Sequence, residues 1–327
     1  MRLGFLGTGW IGRNRLEAIA RSGAAEIAAI ADPSEENAEA ARASAPGAVL
    51  TDSLEGLLDL DVDGVVIATP SALHAEQAVT ALARGAAVFC QKPVGRTAAE
   101  TRAVVDRARR SDRLLGVDFS YRTVEAARRV RELVTAGELG TIYAADLVFH
   151  NAYGPDKPWF YDPERSGGGC VIDLGIHLVD LALWVLGFPK VSEVSAHLFA
   201  GGWPLRDRHE VEDYAIATLI TRQGLAIRLA CSWNLSAGQD AVIGAEFYGT
   251  AGSAALRNVR GSFYDFVGER RTRTARYQLC GPPDDWGGRA SVEWARRLSA
   301  GARFDPEADR LVTVARVIDA IYERGTA

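Results

Sequence analysis

The first third of the chain alternates between short apolar runs and longer amphipathic stretches. Residues 3–6, 27–31, 65–68, 87–90 and 114–117 are apolar on both parities, the pattern of strands covered on both faces in a parallel sheet. Between them, residues 11–21, 34–43, 73–83 and 98–110 place apolar side chains at helical spacing, and residues 49–58 fit a further strand with a turn or two of helix. Such alternation predicts a doubly wound α/β domain. The texture changes after residue 119. A helical pattern over 124–136 stops at Gly137, a strand follows over 142–149, and a loop rich in Pro, Trp and Tyr covers 151–165. Gly167-Gly168-Gly169 then leads into an apolar helix over 170–186 that Gly187 and Pro189 end. From 191 to 279 the pattern is all strand, with runs at 214–221, 225–233, 245–248 and 254–258, and predicts one large, mostly antiparallel open sheet. Helices at 289–299 and 307–323 close the chain. The expected division is 1–118 and 119–327. Both parities of 215–220 and 225–229 are apolar or nearly so, so the open sheet is expected to cover its second face with another copy, as a homodimer or homotetramer.

Composition narrows the classes. A chain of 327 residues suits two domains, and 48% hydrophobic residues supply a core for each. The net charge of −5 argues against a nucleic acid or an anionic membrane as partner, and Arg270, Arg271 and Arg273 read as a solvated strand end. Cys90, Cys170, Cys231 and Cys280 lack zinc or redox spacing and read as reduced thiols of a cytoplasmic protein. The opening MRLGFLGTGW lacks the pattern of a signal peptide, and the apolar runs are strand-length or broken by charge, so no membrane segment is expected.

Chemistry enters first at Gly7-Thr8-Gly9-Trp10-Ile11-Gly12, a G-x-G-x-x-G between a predicted strand and a predicted helix. Gly7 permits the tight turn, Gly9 admits a pyrophosphate to the backbone, and Gly12 lets helix and strand pack closely. The first domain is therefore a Rossmann domain that binds a dinucleotide. Asp32, 20 residues after Gly12 at the end of the second strand, is placed to accept the adenosine ribose hydroxyls. The competing role of helix N-cap falls to Ser34. A carboxylate at Asp32 would repel a 2′-phosphate, which favours NAD over NADP. Ala68, Thr69 and Pro70 end the fourth strand, where ligands of open α/β sheets bind. His74, one helical turn on, either faces the cofactor or caps and packs its helix.

Two segments carry reactive groups. Cys90-Gln91-Lys92-Pro93 ends the fifth strand, so that Gln91 and Lys92 adjoin the cofactor and Lys92 can hydrogen-bond a substrate hydroxyl. Asp173-Leu174-Gly175-Ile176-His177-Leu178-Val179-Asp180 puts Asp173, His177 and Asp180 on one face of the predicted helix. A histidine beside carboxylates can move protons near neutral pH. A hydrogen-bonded core histidine is the plainer reading of His177 alone. No second histidine or cysteine stands at a matching spacing, so no metal site is expected.

Together, Gly7 to Gly12, Thr69-Pro70 with His74, Gln91-Lys92-Pro93, Ser166 to Gly169, and Asp173 to Asp180 resemble the glucose–fructose oxidoreductase / inositol dehydrogenase (Gfo/Idh/MocA) family over nearly the whole chain. The resemblance implies a nicotinamide-dependent dehydrogenase or reductase acting on a secondary alcohol or carbonyl of a sugar, inositol or related polyol. It implies Lys92, Asp173 and His177 as the catalytic set and assembly through the open sheet. Arg122, Tyr153 and Trp159 are expected to contact substrate, joined by Lys92, Asp173 and His177. The chain departs from the family's usual Glu-Lys-Pro in having Gln91, which keeps the size of glutamate and loses its charge. Two other functions fit the same motifs: an NAD-dependent glycosidase working by transient oxidation, and a sensor that binds NAD without turnover.

Overall fold

Six strands, β1 (Arg2–Leu6), β2 (Glu26–Ala31), β3 (Val49–Thr51), β4 (Gly64–Ile67), β5 (Ala87–Cys90) and β6 (Leu115–Val117), pair in parallel in the order β3-β2-β1-β4-β5-β6. The chain reverses its direction of winding between β1 and β4, the switch point at which doubly wound sheets bind ligands. In this computed structural model, which describes residues 1–325, these strands belong to a unit formed by Met1–Ser120 and Gly287–Thr313. Both faces of the sheet are covered, as the two-sided apolarity of the strands demands. Leu3, Phe5, Ile30, Val66 and Phe89 face Leu16 and Ile19 of the helix Trp10–Ser22 and Trp294 of the helix Arg289–Ser299. Val65, Ile67 and Val88 face Ala78 and Leu82 of the helix Ser71–Ala83 and Val104 and Val105 of the helix Ala98–Ser111. The Trp294 ring lies 5.6 Å from Phe89. Gly116 makes room for it, since a Cβ there would come within 2.7 Å of the indole. Segment Gly287–Thr313 thus clusters with the first unit, where the sequence placed it in the second.

The second unit comprises Tyr121–Trp286 and the end of the last helix from Val314. Its strands are β7 (Ile142–Asn151), β8 (Val191–Ala200), β9 (Trp203–Pro204), β10 (Tyr214–Thr221), β11 (Ala226–Ser232), β12 (Ala241–Gly249), β13 (Gly252–Asn258), β14 (Phe266–Thr272) and β15 (Ala275–Cys280). They form one sheet, β15-β14-β13-β12-β7-β11-β10-β8-β9, antiparallel except where β7 meets β11. One face is buried, through Leu147 and Phe149, Ala217 and Leu219, Ile227 and Leu229, and Ala245 and Phe247. The helices Glu125–Thr135 and Ile176–Val185 pack on the sheet.

Two expectations change here. The sequence reads 170–186 as one α-helix, but Val171–Gly175 is a π-helical turn that runs on into the α-helix Ile176–Val185. The other face of the sheet is less apolar than its parity implied. Ile216 and Ile220 are half-buried on it, yet it also carries Arg228 paired with Asp146 at 2.9 Å and Arg271 paired with Glu246 and Glu269. The stretch Pro163–Val185 is long and apolar enough to cross a membrane, and 89% of its most apolar window is buried in the protein. Its apolarity is that of a core helix.

Candidate active site

The first unit builds its cradle from three glycines with separate duties. Gly7 has φ +84°, and a Cβ on it would press within 2.7 Å of the Ala68 carbonyl oxygen. A Cβ on Gly12 would collide with the Gly7 carbonyl, so Gly12 sets the approach of helix to turn. Gly9 opens on clear space, with nothing within 4 Å of a Cβ built there. The helix Trp10–Ser22 starts at Gly9, so the backbone N–H groups of its first turn point into that space without helical partners. A diphosphate fits this arrangement of open glycine and helix N-terminus. Trp10 is 64% exposed and Ile11 half-buried at the same helix start.

Asp32 sits at the end of β2 as expected. Its Oδ2 accepts from the Thr8 backbone N–H at 2.6 Å and from the Thr8 hydroxyl at 3.2 Å, and its Oδ1 accepts from the Ser34 N–H at 2.9 Å. Ser34 caps the helix Glu35–Arg42 through the Asn37 N–H, which leaves Asp32 half-exposed and free of capping duty. Thr69 donates its hydroxyl to Gln77 at 2.6 Å, and Pro70 begins the helix Ser71–Ala83.

His74 and Gln91 both engage other groups of the first unit. Both ring nitrogens of the buried His74 face backbone carbonyls, Nδ1 that of Pro93 at 2.7 Å and Nε2 that of Thr69 at 2.6 Å. Of the two roles open to it, His74 takes the structural one: it ties the loop after β4 to the loop after β5 and has no polar atom to spare for a cofactor. Burial pushes its pKa down despite those two hydrogen bonds, and the charge of Lys92 adds to the depression. Gln91 likewise turns inward. Its amide donates to Asp118 Oδ2 at 2.6 Å, and the same oxygen accepts from Arg15 Nε at 2.6 Å. The buried trio Arg15, Gln91 and Asp118 joins the glycine-turn helix, the end of β5 and the end of β6. Lys92 follows Gln91, half-buried, where β5 gives way to the loop.

In the second unit Asp173 lies within the π-turn and His177 in the α-helix that continues it. Such turns occur often at functional sites because the extra residue per turn re-aims side chains. Asp173 accepts from the indole N–H of Trp233 at 3.1 Å. His177 is 8% exposed, with Tyr121 edge-on to its ring at 5.0 Å and Phe149 at 6.4 Å. Burial, then the Asp173 charge, pushes the Tyr121 hydroxyl far above its usual range and keeps it protonated. The aromatic wall continues through Trp159, stacked on Phe160 at 3.8 Å, and through Phe160 and Tyr161, both edge-on to Trp233.

Asp180 does not share the setting of Asp173 and His177. It is buried and accepts from Arg122, whose Nε lies 2.8 Å from Oδ2 and whose Nη2 bonds Oδ1. Burial raises the Asp180 pKa and the Arg122 guanidinium opposes the rise. Two nitrogens of the Arg122 guanidinium are thus engaged by Asp180. Tyr153 is 60% exposed and donates its hydroxyl to Asp240 at 2.6 Å. Sequence reasoning passed over Trp233, Tyr121, Asp118 and Arg15. Each acts through a partner 56 to 103 positions away, and no local pattern marks it. Among the described residues no cluster of His, Cys, Asp and Glu is arranged to hold a metal ion.

Comparison with known proteins gives the same outline. Residues 1–119 match the family described as oxidoreductase, NAD-binding Rossmann fold (GFO_IDH_MocA), and residues 127–255 match the GFO/IDH/MocA C-terminal domain. The chain is 32% identical to D-glucoside 3-dehydrogenase of Escherichia coli (strain K12) over 244 residues, 71% of this chain and 69% of that protein. It is 32% identical to inositol 2-dehydrogenase of Acidiphilium cryptum (strain JF-5) over 264 residues, 78% of this chain and 74% of the relative. Levoglucosan dehydrogenase, solved with NADH and levoglucosan, shares the fold at a TM-score of 0.85 and 22% identity, over 99% of this chain and 97% of that one.

Proposed function

The chain belongs to the GFO/IDH/MocA family of NAD(P)-dependent oxidoreductases, and from that premise we propose that it moves a hydride between NAD and a secondary alcohol or carbonyl of a sugar, inositol or related polyol. The observation that carries the choice of substrate is the setting of Asp173. A carboxylate held by the Trp233 indole, in a wall formed by Phe160 and Tyr161 and four residues before His177, offers hydroxyl acceptors beside flat apolar faces. Sugar and inositol rings have that complementary make-up, with C–H faces and a rim of hydroxyls. The relatives named for D-glucoside and for inositol support the class.

Bound nicotinamide supplies the hydride acceptor or donor. Gly9 and the helix start behind it would hold the diphosphate, and Asp32 would take the ribose hydroxyls and disfavour a 2′-phosphate. In the oxidative direction we assign an imidazole nitrogen of His177 as the acceptor of the hydroxyl proton and the Lys92 ammonium as a group that stabilises developing negative charge. Asp173 orients the substrate by accepting from a neighbouring hydroxyl. The four cysteines are thiols, which suits a reducing cytoplasm.

Purified protein is tested with NAD and then NADP against inositols, D-glucosides and sugar acids, following absorbance of the reduced cofactor. Turnover with one polyol, faster with NAD, is the expected result. A blank panel in both directions with both cofactors would sink the substrate class, and faster turnover with NADP would overturn the role given to Asp32. The half-buried Ile216 and Ile220, on the face opposite the helices, fit contact with a second copy. Sedimentation should then show a dimer or tetramer, and a monomer at micromolar concentration would contradict that part.

A further inference from the structure

The segment that carries Asp173 and His177 is held at its start by groups from distant parts of the chain. Glu212, in the loop before β10, is 1% exposed. Its Oε1 accepts from the backbone N–H of Val171 at 2.8 Å and of Gly169 at 3.1 Å, and its Oε2 lies 3.0 Å from the same Gly169 nitrogen. The Glu212 carbonyl accepts from the Cys170 N–H at 2.9 Å. Three successive backbone donors thus converge on one residue. The Tyr322 hydroxyl, from the last helix, donates to Glu212 Oε1 at 2.9 Å and accepts from the Ile172 N–H at 3.2 Å. Arg208 lies 4.5 Å over the Tyr322 ring and donates to the Gly167 carbonyl at 3.0 Å.

The glycines are shaped to this contact. A Cβ on Gly169 would collide with the Glu212 carbonyl, and one on Gly168, at φ +151°, would collide with the Tyr322 hydroxyl. Each polar atom the structure aims at the Glu212 carboxylate is a donor, which favours the anion, as does its place at the start of a helical segment. Burial works the other way and raises the Glu212 pKa. A buried carboxylate is costly unless so satisfied. It persists here where a π-turn, a backbone form weaker than the α-helix, needs its first N–H groups fixed.

We propose that Glu212 and Tyr322 form a clamp that sets the position of the π-turn Val171–Gly175, and through it the positions of Asp173 and His177. Both are positioning residues, since neither contacts the reacting atoms. The proposal rests on the catalytic reading of Asp173 and His177 for its effect on turnover, but its structural content can be read without substrate.

The indole N–H of Trp233 is the reporter, because it hydrogen-bonds Asp173. In protein labelled with ¹⁵N-tryptophan, Trp233→Phe identifies the Trp233 indole resonance. Glu212→Gln replaces an anion by a side chain whose NH₂ faces backbone donors, and Tyr322→Phe removes one hydroxyl with little change of shape. In both variants the Trp233 resonance should move while the other indole signals stay, and amide exchange should speed up in 167–180 before it does elsewhere. With a polyol that turns over, kcat should fall by up to about 100-fold, the scale of a misplaced reacting group, while KM for NAD stays within a few-fold. Glu212→Asp should recover part of the loss, since it restores the anion. If the Trp233 resonance and the 167–180 exchange are unchanged in Glu212→Gln, the clamp is refuted. Should that variant not fold, the same result in Tyr322→Phe refutes it. If His177→Ala retains turnover while Glu212→Gln still shifts Trp233, the clamp stands and the catalytic reading fails.

Discussion

Replacing His177 with alanine is expected to lower turnover by about 10²–10⁴-fold, the usual contribution of a positioned proton-transfer group, and to leave NAD affinity nearly unchanged. His177 belongs to the unit that does not carry the glycine cradle, so its loss leaves the cradle's backbone donors intact. Its burial beside Tyr121 and Phe149 gives the imidazole a fixed orientation. Lys92→Ala should have an effect of the same kind, since in the proposed reaction the ammonium would stabilise charge developing on the substrate oxygen. Asp173→Asn should act more on KM for the polyol, since an amide still fills the site and still accepts from Trp233. Turnover at saturating polyol and NAD titration by protein fluorescence separate these outcomes. Full turnover in both His177→Ala and Lys92→Ala would remove them from the reaction.

The second large effect is on stability. Asp118→Ala strands the Arg15 guanidinium, with side-chain exposures of 6% for Arg15 and 1% for Asp118, and takes away the acceptor of the Gln91 amide. Breaking a buried pair from one side costs about 3–5 kcal/mol. The first unit should then melt roughly 10 °C earlier by calorimetry. A loss below 1 kcal/mol would mean that water replaces the missing carboxylate. Gln91→Glu probes the same trio through pH. The Gln91 amide nitrogen lies 2.6 Å from an Asp118 oxygen, so the introduced carboxyl would meet a carboxylate there and hold its proton in the folded protein. Its folded pKa is raised above the unfolded value of about 4.3. The variant should therefore match the parent below that pH and lose stability as the pH rises through the folded value. Denaturant midpoints that run parallel for both proteins from pH 4 to 8 would contradict this.

In this trio Asp118, just after β6, supplies the carboxylate that both Gln91 and Arg15 engage. No reading of the sequence could assign that role, because Arg15 and Asp118 lie 103 positions apart. What the sequence did disclose rests on short-range rules. Strand–helix alternation, the three glycines of the first turn and the N-cap at Ser34 depend on residues a few positions apart, and the structure repeats them. The π-turn escaped because apolar spacing over 170–186 cannot separate a π-turn from an α-turn. Arg122 and His74 lie on the elements the sequence placed them on, but their partners inside the protein could not be named from local spacing. Their hydrogen bonds run to Asp180 and to the carbonyls of Thr69 and Pro93, a choice made by tertiary packing.

The return of Gly287–Thr313 to the first unit has a consequence for synthesis. A nascent chain released as far as Ser120 has all six parallel strands but lacks Trp294, so Phe89 and the hollow left by Gly116 stay open to water. Residues 121–286 must emerge before the cover arrives, a wait of roughly 10–30 s at ordinary elongation rates. Fragments that stop at the end of β6 should accordingly be prone to aggregate, and a workable truncation of this unit needs the two segments joined by a linker.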